Sequence, residues 1–165
     1  MRYIEIAYEQ RGVSCVARLL DEDAPLTCEA VWNALPLTGE VFHAKYARNE
    51  VYILVPSFAT AEVPPENTTI TPIPGDVVYF GFEPWQLAAS SHGYSGTERP
   101  DSANVVDMAV FYGRNNLLLN PDFGFVPGSV YAAIEEGLEA FADASREIWR
   151  NGGANERMIY RRQPH

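Results

Sequence analysis

Short runs in which apolar and polar residues alternate are the feature that most restricts the fold of this 165-residue chain. A two-residue period matches the alternating faces of a β-strand and does not fit a helix. Such runs, or apolar segments of strand length, lie at 2–9, 14–20, 39–46, 50–56, 76–82, 104–113, 129–134 and 157–162. Twelve glycines and twelve prolines supply turns between them. The pattern therefore predicts a mainly β protein, and the length suits one domain over residues 1–165.

Two segments carry a helical period instead. Within residues 21–36, one apolar face is formed by Cys28, Val31, Trp32 and Leu35. Residues 137–151 form the second predicted helix, with a core face of Leu138, Phe141, Ala142, Ile148 and Trp149. A closed antiparallel β-barrel capped by two α-helices would bury both of these faces and hide the sheet edges.

The charge of the chain argues against polyanionic partners. Net charge is −10, and no basic stripe suited to the phosphates of a nucleic acid is present. Acidity also disfavours adsorption to anionic membranes, and no apolar run approaches the roughly 20 residues that a membrane helix needs. The N-terminus lacks the apolar core of a signal peptide. We therefore expect a cytoplasmic protein that binds neither nucleic acid nor membrane.

Cysteine and histidine usage gives no sign of a metal or cofactor. Cys15 lies in a predicted strand and Cys28 on a predicted helix face, and both positions favour buried free thiols. His43, His92 and His165 share no metal-ligand spacing. No glycine-rich motif for a nucleotide phosphate occurs. We therefore predict neither a metal site nor a cofactor.

The segment FHAKYARNE (42–50) holds the densest group of polar side chains with chemical potential. If it is a strand, alternation places Phe42, Ala44 and Tyr46 towards the core and His43 outwards or into a groove. His43 would then act as an acid, a base or a hydrogen-bonding group. Arg48 and Glu50 would orient a polar ligand. The alternative is an exposed strand that carries an ordinary cross-strand ion pair.

Further candidates lie in other segments. Arg114 and Asn116 follow an apolar strand, where Arg114 suits bidentate binding of a carboxylate or amide. The alternative for Asn116, which we prefer, is a plain turn. Asp107 interrupts that strand, and a buried carboxylate needs a partner, for which His43 and Arg114 are the candidates. His92 lies in a long polar segment at 83–103, which we interpret as a flexible lid in preference to a Ser–His site.

The order of elements and several motifs resemble the cyclophilin-like fold. DAPLTCEAVWNAL resembles the start and body of that family's first helix, VFHAKY its Phe-His-Arg strand, and MAVFYG the strand with its active-site Phe. FVPGSVYAAIEEGLEAF resembles the turn, strand and second helix that follow. The segments ARLLDEDAPLTCEAVWNALP, HAKY and IPGDVVYF are more closely similar to a bacterial group of unknown function, DUF3830.

The same resemblance implies that prolyl isomerase activity is absent. The isomerases of the family carry an arginine directly after Phe-His, and that place holds Ala44 here. Their histidine falls at Val130 and their tryptophan at Phe125. Phe111 or Tyr112 corresponds to the aromatic wall of their site. Without the arginine, the electrostatic element that acts on the twisted prolyl amide is missing.

Three hypotheses about function remain open at this point. The first is binding of a small polar ligand, an amide or a carboxylate, by His43, Tyr46, Arg48, Glu50 and Arg114. The second is an interaction module that forms a homo-oligomer through loop aromatics such as Phe80, Phe82, Trp85, Phe123 and Phe125. It predicts a melting temperature that rises with protein concentration. The third is a hydrolase of small amides with His43 as base, which requires a carboxylate close to His43.

Overall fold

The computed structural model describes residues 1–87, 104–122 and 124–164. His92 and Phe123 lie outside the described residues, as does most of the segment interpreted as a lid. The strands are β1 Tyr3–Tyr8, β2 Val13–Leu19, β3 Leu37–Glu40, β4 Phe42–His43, β5 Glu50–Pro56, β6 Thr68–Thr69, β7 Asp76–Phe82, β8 Val105–Phe111, β9 Leu119–Asn120, β10 Gly124–Phe125, β11 Gly128–Glu136 and β12 Arg157–Arg162. The helices are α1 Pro25–Ala34 and α2 Leu138–Asn151, with a short 3₁₀ turn at Pro84–Leu87.

Nine strands form one antiparallel sheet in the order β3-β12-β1-β2-β11-β7-β8-β5-β4, and β6 adds to β11. The sheet curls until β3 lies against β5, where a Cβ on Gly39 would be 3.1 Å from the Cβ of Ile53. The small side chain at Gly39 therefore permits the close approach that nearly closes the barrel. The prediction of a mainly β barrel with two helices is confirmed, with β9 and β10 forming a separate hairpin.

The two helices cover the apolar interior of the barrel. Cys28 and Val31 of α1, and Phe141, Ala142 and Ile148 of α2, join the buried interior cluster. Both cysteines are buried free thiols, as predicted. Glu66 caps α1 from a distant loop, because its carboxylate accepts hydrogen bonds from the backbone N–H groups of Leu26 and Thr27 at 3.2 and 2.8 Å. Within the described part of the chain, no helix is both long enough and apolar enough to span a membrane.

Strands β5, β7 and β8 are buried on both faces, which explains their nearly continuous apolar sequences. One face points into the barrel. The other face supplies a second buried cluster on the outside of the barrel, which includes Tyr52, Leu54, Val78, Phe80, Phe82, Ala109 and Phe111. Residues from the 44–47 turn and from the 118–126 segment pack over this outer face. A cavity between the outer face and these covering segments is the place where a site can form.

The predicted strand at 39–46 was wrong in its extent. Its first part, β3, pairs with β12, whereas β4 pairs with β5, and the N–H of Val41 between them donates to the carbonyl of Glu156. The strand ends at His43, so alternation does not continue and Tyr46 is 47% exposed instead of facing the core. Trp149 was also misplaced, because it lies near the end of α2 with 62% of its surface exposed.

Candidate functional site

A pocket opens between the outer face of β5, β7 and β8 and the two segments that cover it. We call it the outer pocket. Its apolar and aromatic walls are formed by Ala44, Tyr46, Ala47, Tyr52, Phe80, Phe82, Leu118, Leu119 and Val126. Its cavity volume is about 100 Å³ and its mouth is open to solvent, so it suits a small ligand rather than a large one. Two carboxyl groups, those of Glu50 and Asp107, also line it.

The register of the sheet brings these two carboxyls to the same face. Glu50 lies opposite Phe111, and Asp107 lies opposite Leu54 on one side and Phe80 on the other. Residues directly opposite in a sheet point to the same face, and so do residues two or four apart along a strand. Glu50 and Asp107 therefore both point outwards into the outer pocket, although they are 57 positions apart in the sequence.

Both carboxyls are deeply buried, and one oxygen of Asp107 lacks a hydrogen-bond donor. Glu50 is 5% exposed and Asp107 is 6% exposed. The Oδ1 atom of Asp107 receives no hydrogen bond within the described part of the chain. None of the ion pairs among residues 1–87, 104–122 and 124–164 includes either carboxyl. A buried polar group without a partner costs about 1–3 kcal/mol, so the arrangement is unfavourable for an empty pocket.

The environment keeps protons on this pair at neutral pH. Burial raises the pKa of Glu50 to about 8. Burial, and then the neighbouring charge of Glu50, raise the pKa of Asp107 well above its usual value. Perturbed carboxyls in a cleft are typical of functional sites. In the portion of the chain that the structure describes, no group of three potential ligand residues could hold a metal ion.

His43 does not reach the outer pocket. Its Nδ1–H donates to the carbonyl oxygen of Ala44 at 2.8 Å, and its Nε2 accepts a hydrogen bond from the Tyr112 hydroxyl at 2.5 Å. The imidazole also packs on Trp149 with ring centroids 4.8 Å apart. Burial lowers the pKa of His43, which favours the neutral ring that these bonds require. His43 and Tyr112 therefore join β4 to the end of β8 and to α2.

The carboxylate that a His43-based hydrolase needs is not bonded to this ring. Both ring nitrogens are occupied by Ala44 and Tyr112. The predicted Asp107–His43 pair is thus not formed, and neither is the Asp107–Arg114 pair, since Asp107 has no ion pair with a described residue. Asp107 instead lies beside Glu50.

Arg48 and Asn116 join two turns rather than line a pocket. Arg48, which has a left-handed backbone with φ 78°, donates to the carbonyl oxygen of Asn115 at 2.9 Å. Buried Asn116 accepts from the N–H of Asn49 at 3.1 Å and donates to the carbonyl oxygens of Pro72 and Gly113, both at 2.8 Å. These bonds fix the start of β5 against the end of β8. The side chain of Arg114 is exposed beside them.

Of the predicted site residues, the structure brings together Tyr46, Glu50 and Asp107. The sequence does not predict the aromatic wall of the outer pocket, because Phe80 and Phe82 appear in it only as candidates for a subunit contact. Both are buried, while Trp85 and Phe125 are 63% and 59% exposed. The subunit contact through loop aromatics stays a prediction. The sequence signal for the pocket is the carboxylate of Asp107 in the middle of an apolar strand.

Comparisons with known proteins agree with this architecture. The model of the family described as "Protein of unknown function (DUF3830)" matches residues 6–160. The structure of McbB in complex with tryptophan is similar to this chain with a TM-score of 0.62 and 20% identity, over 98% of this chain and 45% of McbB. The chain therefore spans less than half the length of McbB.

The solution structure of the hypothetical protein AF2241 from Archaeoglobus fulgidus is also similar, with a TM-score of 0.52 and 18% identity, over 98% of this chain and 95% of AF2241. At these identities the similarities show the fold alone. A search of the curated proteins finds no relative.

Proposed function

We propose that this chain, which belongs to the DUF3830 family, binds a small organic ligand in the outer pocket. The ligand has an apolar body that the aromatic walls receive. It also has an N–H group, of an amide or an amine, that donates to Glu50 and Asp107. The proposal keeps the amide-binding hypothesis drawn from the sequence and moves it from His43 and Arg48 to the buried carboxyl pair.

The single observation that carries this proposal is the buried, unsatisfied Oδ1 of Asp107, a residue that lines the apolar outer pocket. Buried polar atoms in folded proteins are nearly always hydrogen-bonded, so an atom without a donor needs an explanation. A ligand N–H group would supply the missing donor. Apolar pockets with a small number of convergent polar groups are the usual form of a small-molecule site.

Two ligand classes fit the outer pocket poorly. A carboxylate ligand would bring an anion into a buried site where Glu50 and Asp107 already keep their protons because negative charge is disfavoured there. A prolyl peptide would meet the Ala44 side chain where an isomerase presents a guanidinium, and Val130 carries no hydrogen-bonding group. We therefore expect no turnover in a prolyl-peptide assay.

A thermal-shift series with matched probes tests the proposal. 2-Phenylethylamine and phenylacetamide are expected to raise the melting temperature, and phenylacetate is not. Tryptophan joins the series because McbB binds it and because it combines an aromatic ring with an ammonium group. A ligand at 100 times its Kd stabilises the native state by about 2.7 kcal/mol.

The matched variants for this series are Ala44→Leu, which fills the outer pocket, and Ala154→Leu, which lies on the exposed surface. Ala44→Leu is expected to abolish the shifts, and Ala154→Leu is expected to preserve them. If no probe stabilises the wild type, or if the shifts survive in Ala44→Leu, the outer pocket is not the ligand site.

A further inference from the structure

We infer that the ligand of the outer pocket carries a positively charged nitrogen and enters in exchange for a proton held by Glu50 and Asp107. The inference rests on the proposed function and specifies it further. It names the ligand class, an apolar or aromatic primary amine in its ammonium form. It also names a form of regulation, because binding coupled to proton release depends on pH.

The charge of the empty site is set by its two carboxyl groups. Two carboxyl groups on neighbouring strands face one apolar pocket, each at least nine-tenths buried. No described cation forms an ion pair with either of them. Two ionised carboxylates cannot share such a space without a compensating positive charge. The empty pocket therefore retains at least one acidic proton.

Other polar and titratable side chains also line the outer pocket beside this pair. The polar and titratable side chains that line the outer pocket besides the two carboxyls are Lys45, Tyr46, Tyr52 and Asn120. Lys45 and Tyr46 are exposed on the turn that covers the pocket. Strand β7 contributes Phe80 and Phe82, which do not titrate. Among the described lining residues, the two carboxyls are therefore the groups that exchange a proton near neutral pH.

Binding exchanges a proton of the carboxyl pair for the positive charge of the ligand. An ammonium group entering the pocket supplies the missing positive charge and donates N–H bonds to the carboxyl pair, one of them to the unpaired Oδ1 of Asp107 once that carboxyl turns towards the ligand. One carboxyl O–H then ionises, and its proton leaves to solvent. The charge of the site is unchanged by this exchange, and no covalent bond of the ligand is altered. The aromatic rings of Tyr52, Phe80 and Phe82 receive the apolar body.

Proton release makes affinity depend on pH in a defined direction. An alkylammonium group has a pKa near that of lysine, about 10.4, so the probe stays cationic below pH 9. Below the pKa of the carboxyl pair, a rise in pH removes the competing proton and strengthens binding. The Kd is expected to fall by up to about tenfold per pH unit between pH 6 and pH 8. Above that range the dependence should level off.

Isothermal titration calorimetry of the full chain with 2-phenylethylamine tests this inference. Titrations at pH 6, 7 and 8 in phosphate and in MOPS, a tertiary amine with a larger enthalpy of protonation, separate the heat of buffer protonation from the heat of binding. The expected result is a release approaching one proton per bound amine at pH 6 and 7. The neutral isostere 2-phenylethanol is expected to bind more weakly and to release none.

The variants Glu50→Gln and Asp107→Asn are each expected to weaken amine binding at pH 8 by tenfold or more, and the double variant is expected to abolish proton release. Glu139→Gln, an exposed acidic position on α2, serves as the control and should behave as wild type. Amine binding without proton release, or 2-phenylethanol binding as tightly as the amine, would overturn the inference and leave the proposed function standing. Stabilisation of the wild type by CaCl₂ with the same proton release would overturn the choice of an organic cation. Failure of every probe to bind is the separate result that removes the proposed function itself.

Discussion

Glu50→Gln is expected to raise the free energy of unfolding at pH 8–9 by about 1–3 kcal/mol. Each unit of pKa difference between the folded and unfolded states corresponds to about 1.4 kcal/mol, and burial raises the pKa of Glu50 to about 8. Glutamine keeps the size of the side chain and removes the charge whose burial is costly. Asp107→Asn should act in the same direction, because burial and the charge of Glu50 raise the pKa of Asp107.

The sign of the pH dependence follows from proton counting. Unfolded glutamate titrates near pH 4.5, and folded Glu50 retains its proton to about pH 8. Between these values the folded state binds more protons than the unfolded state, so the stability of the wild type falls as pH rises. The advantage of Glu50→Gln should be fully present above pH 8 and absent below about pH 4.5. Urea unfolding monitored by tryptophan fluorescence at several pH values measures it.

Glu139→Gln is the control for this experiment, since its side chain is exposed on α2 and its removal should change stability little at any pH. Destabilisation by Glu50→Gln at pH 8, or a difference that does not vary with pH, would mean that the carboxyl pair is compensated by groups not considered above. If Glu50→Gln stabilises the protein and also weakens ligand binding, it shows the pattern expected of a functional site.

Gly128→Ala is expected to destabilise the protein by about 1–3 kcal/mol and to weaken probe binding. A Cβ at Gly128 would lie 2.4 Å from Cγ1 of Val78 and 2.6 Å from Cε1 of Phe80. Such distances require the side chains to move, and the Phe80 ring is part of the wall of the outer pocket. The added methyl group on β11 would therefore displace the Phe80 ring of β7 and disturb the wall of the outer pocket.

Gly81→Ala is the matched control, because its Cβ would contact only Cε1 of Tyr79, at 3.9 Å. It lies on the same sheet, and its effect on stability and on probe affinity should be small. For a chain of this size, 1 kcal/mol corresponds to a shift of about 2–4 °C in melting temperature. Equal melting temperatures for Gly128→Ala and Gly81→Ala would show that the packing of Phe80 over β11 is looser than described.

The sequence carried enough local information to predict most of the fold. Strands such as Tyr3–Tyr8 combine alternation with good strand formers, and the face of α1 around Cys28 and Val31 is set by helical spacing alone. Segment 39–46 could not be read in this way. Its two halves pair with different strands, β12 and β5, and only long-range pairing determines where one ends.

The site was harder to predict because it depends on the register of distant strands. Asp107 could be identified as a buried carboxylate that needs a partner. Its neighbour, Glu50, follows only from the pairing of β5 with β8. His43 is predicted as a site residue because its ring can titrate, but its bonds to Ala44 and Tyr112 hold the ring outside the outer pocket. The residue types in 42–50 indicate which chemistry is possible, but the sequence does not indicate which way each side chain points.

The most direct test of the carboxyl pair is a ¹³C NMR measurement of its ionisation at pH 7. The carboxyl carbons of Glu50 and Asp107, assigned by comparison with Glu50→Gln and Asp107→Asn, report protonation through their chemical shifts. The account predicts that at least one of the two is protonated in the free protein and that saturating 2-phenylethylamine converts it to the carboxylate. Two fully ionised carboxylates in the free protein, or shifts that 2-phenylethylamine leaves unchanged, would contradict it.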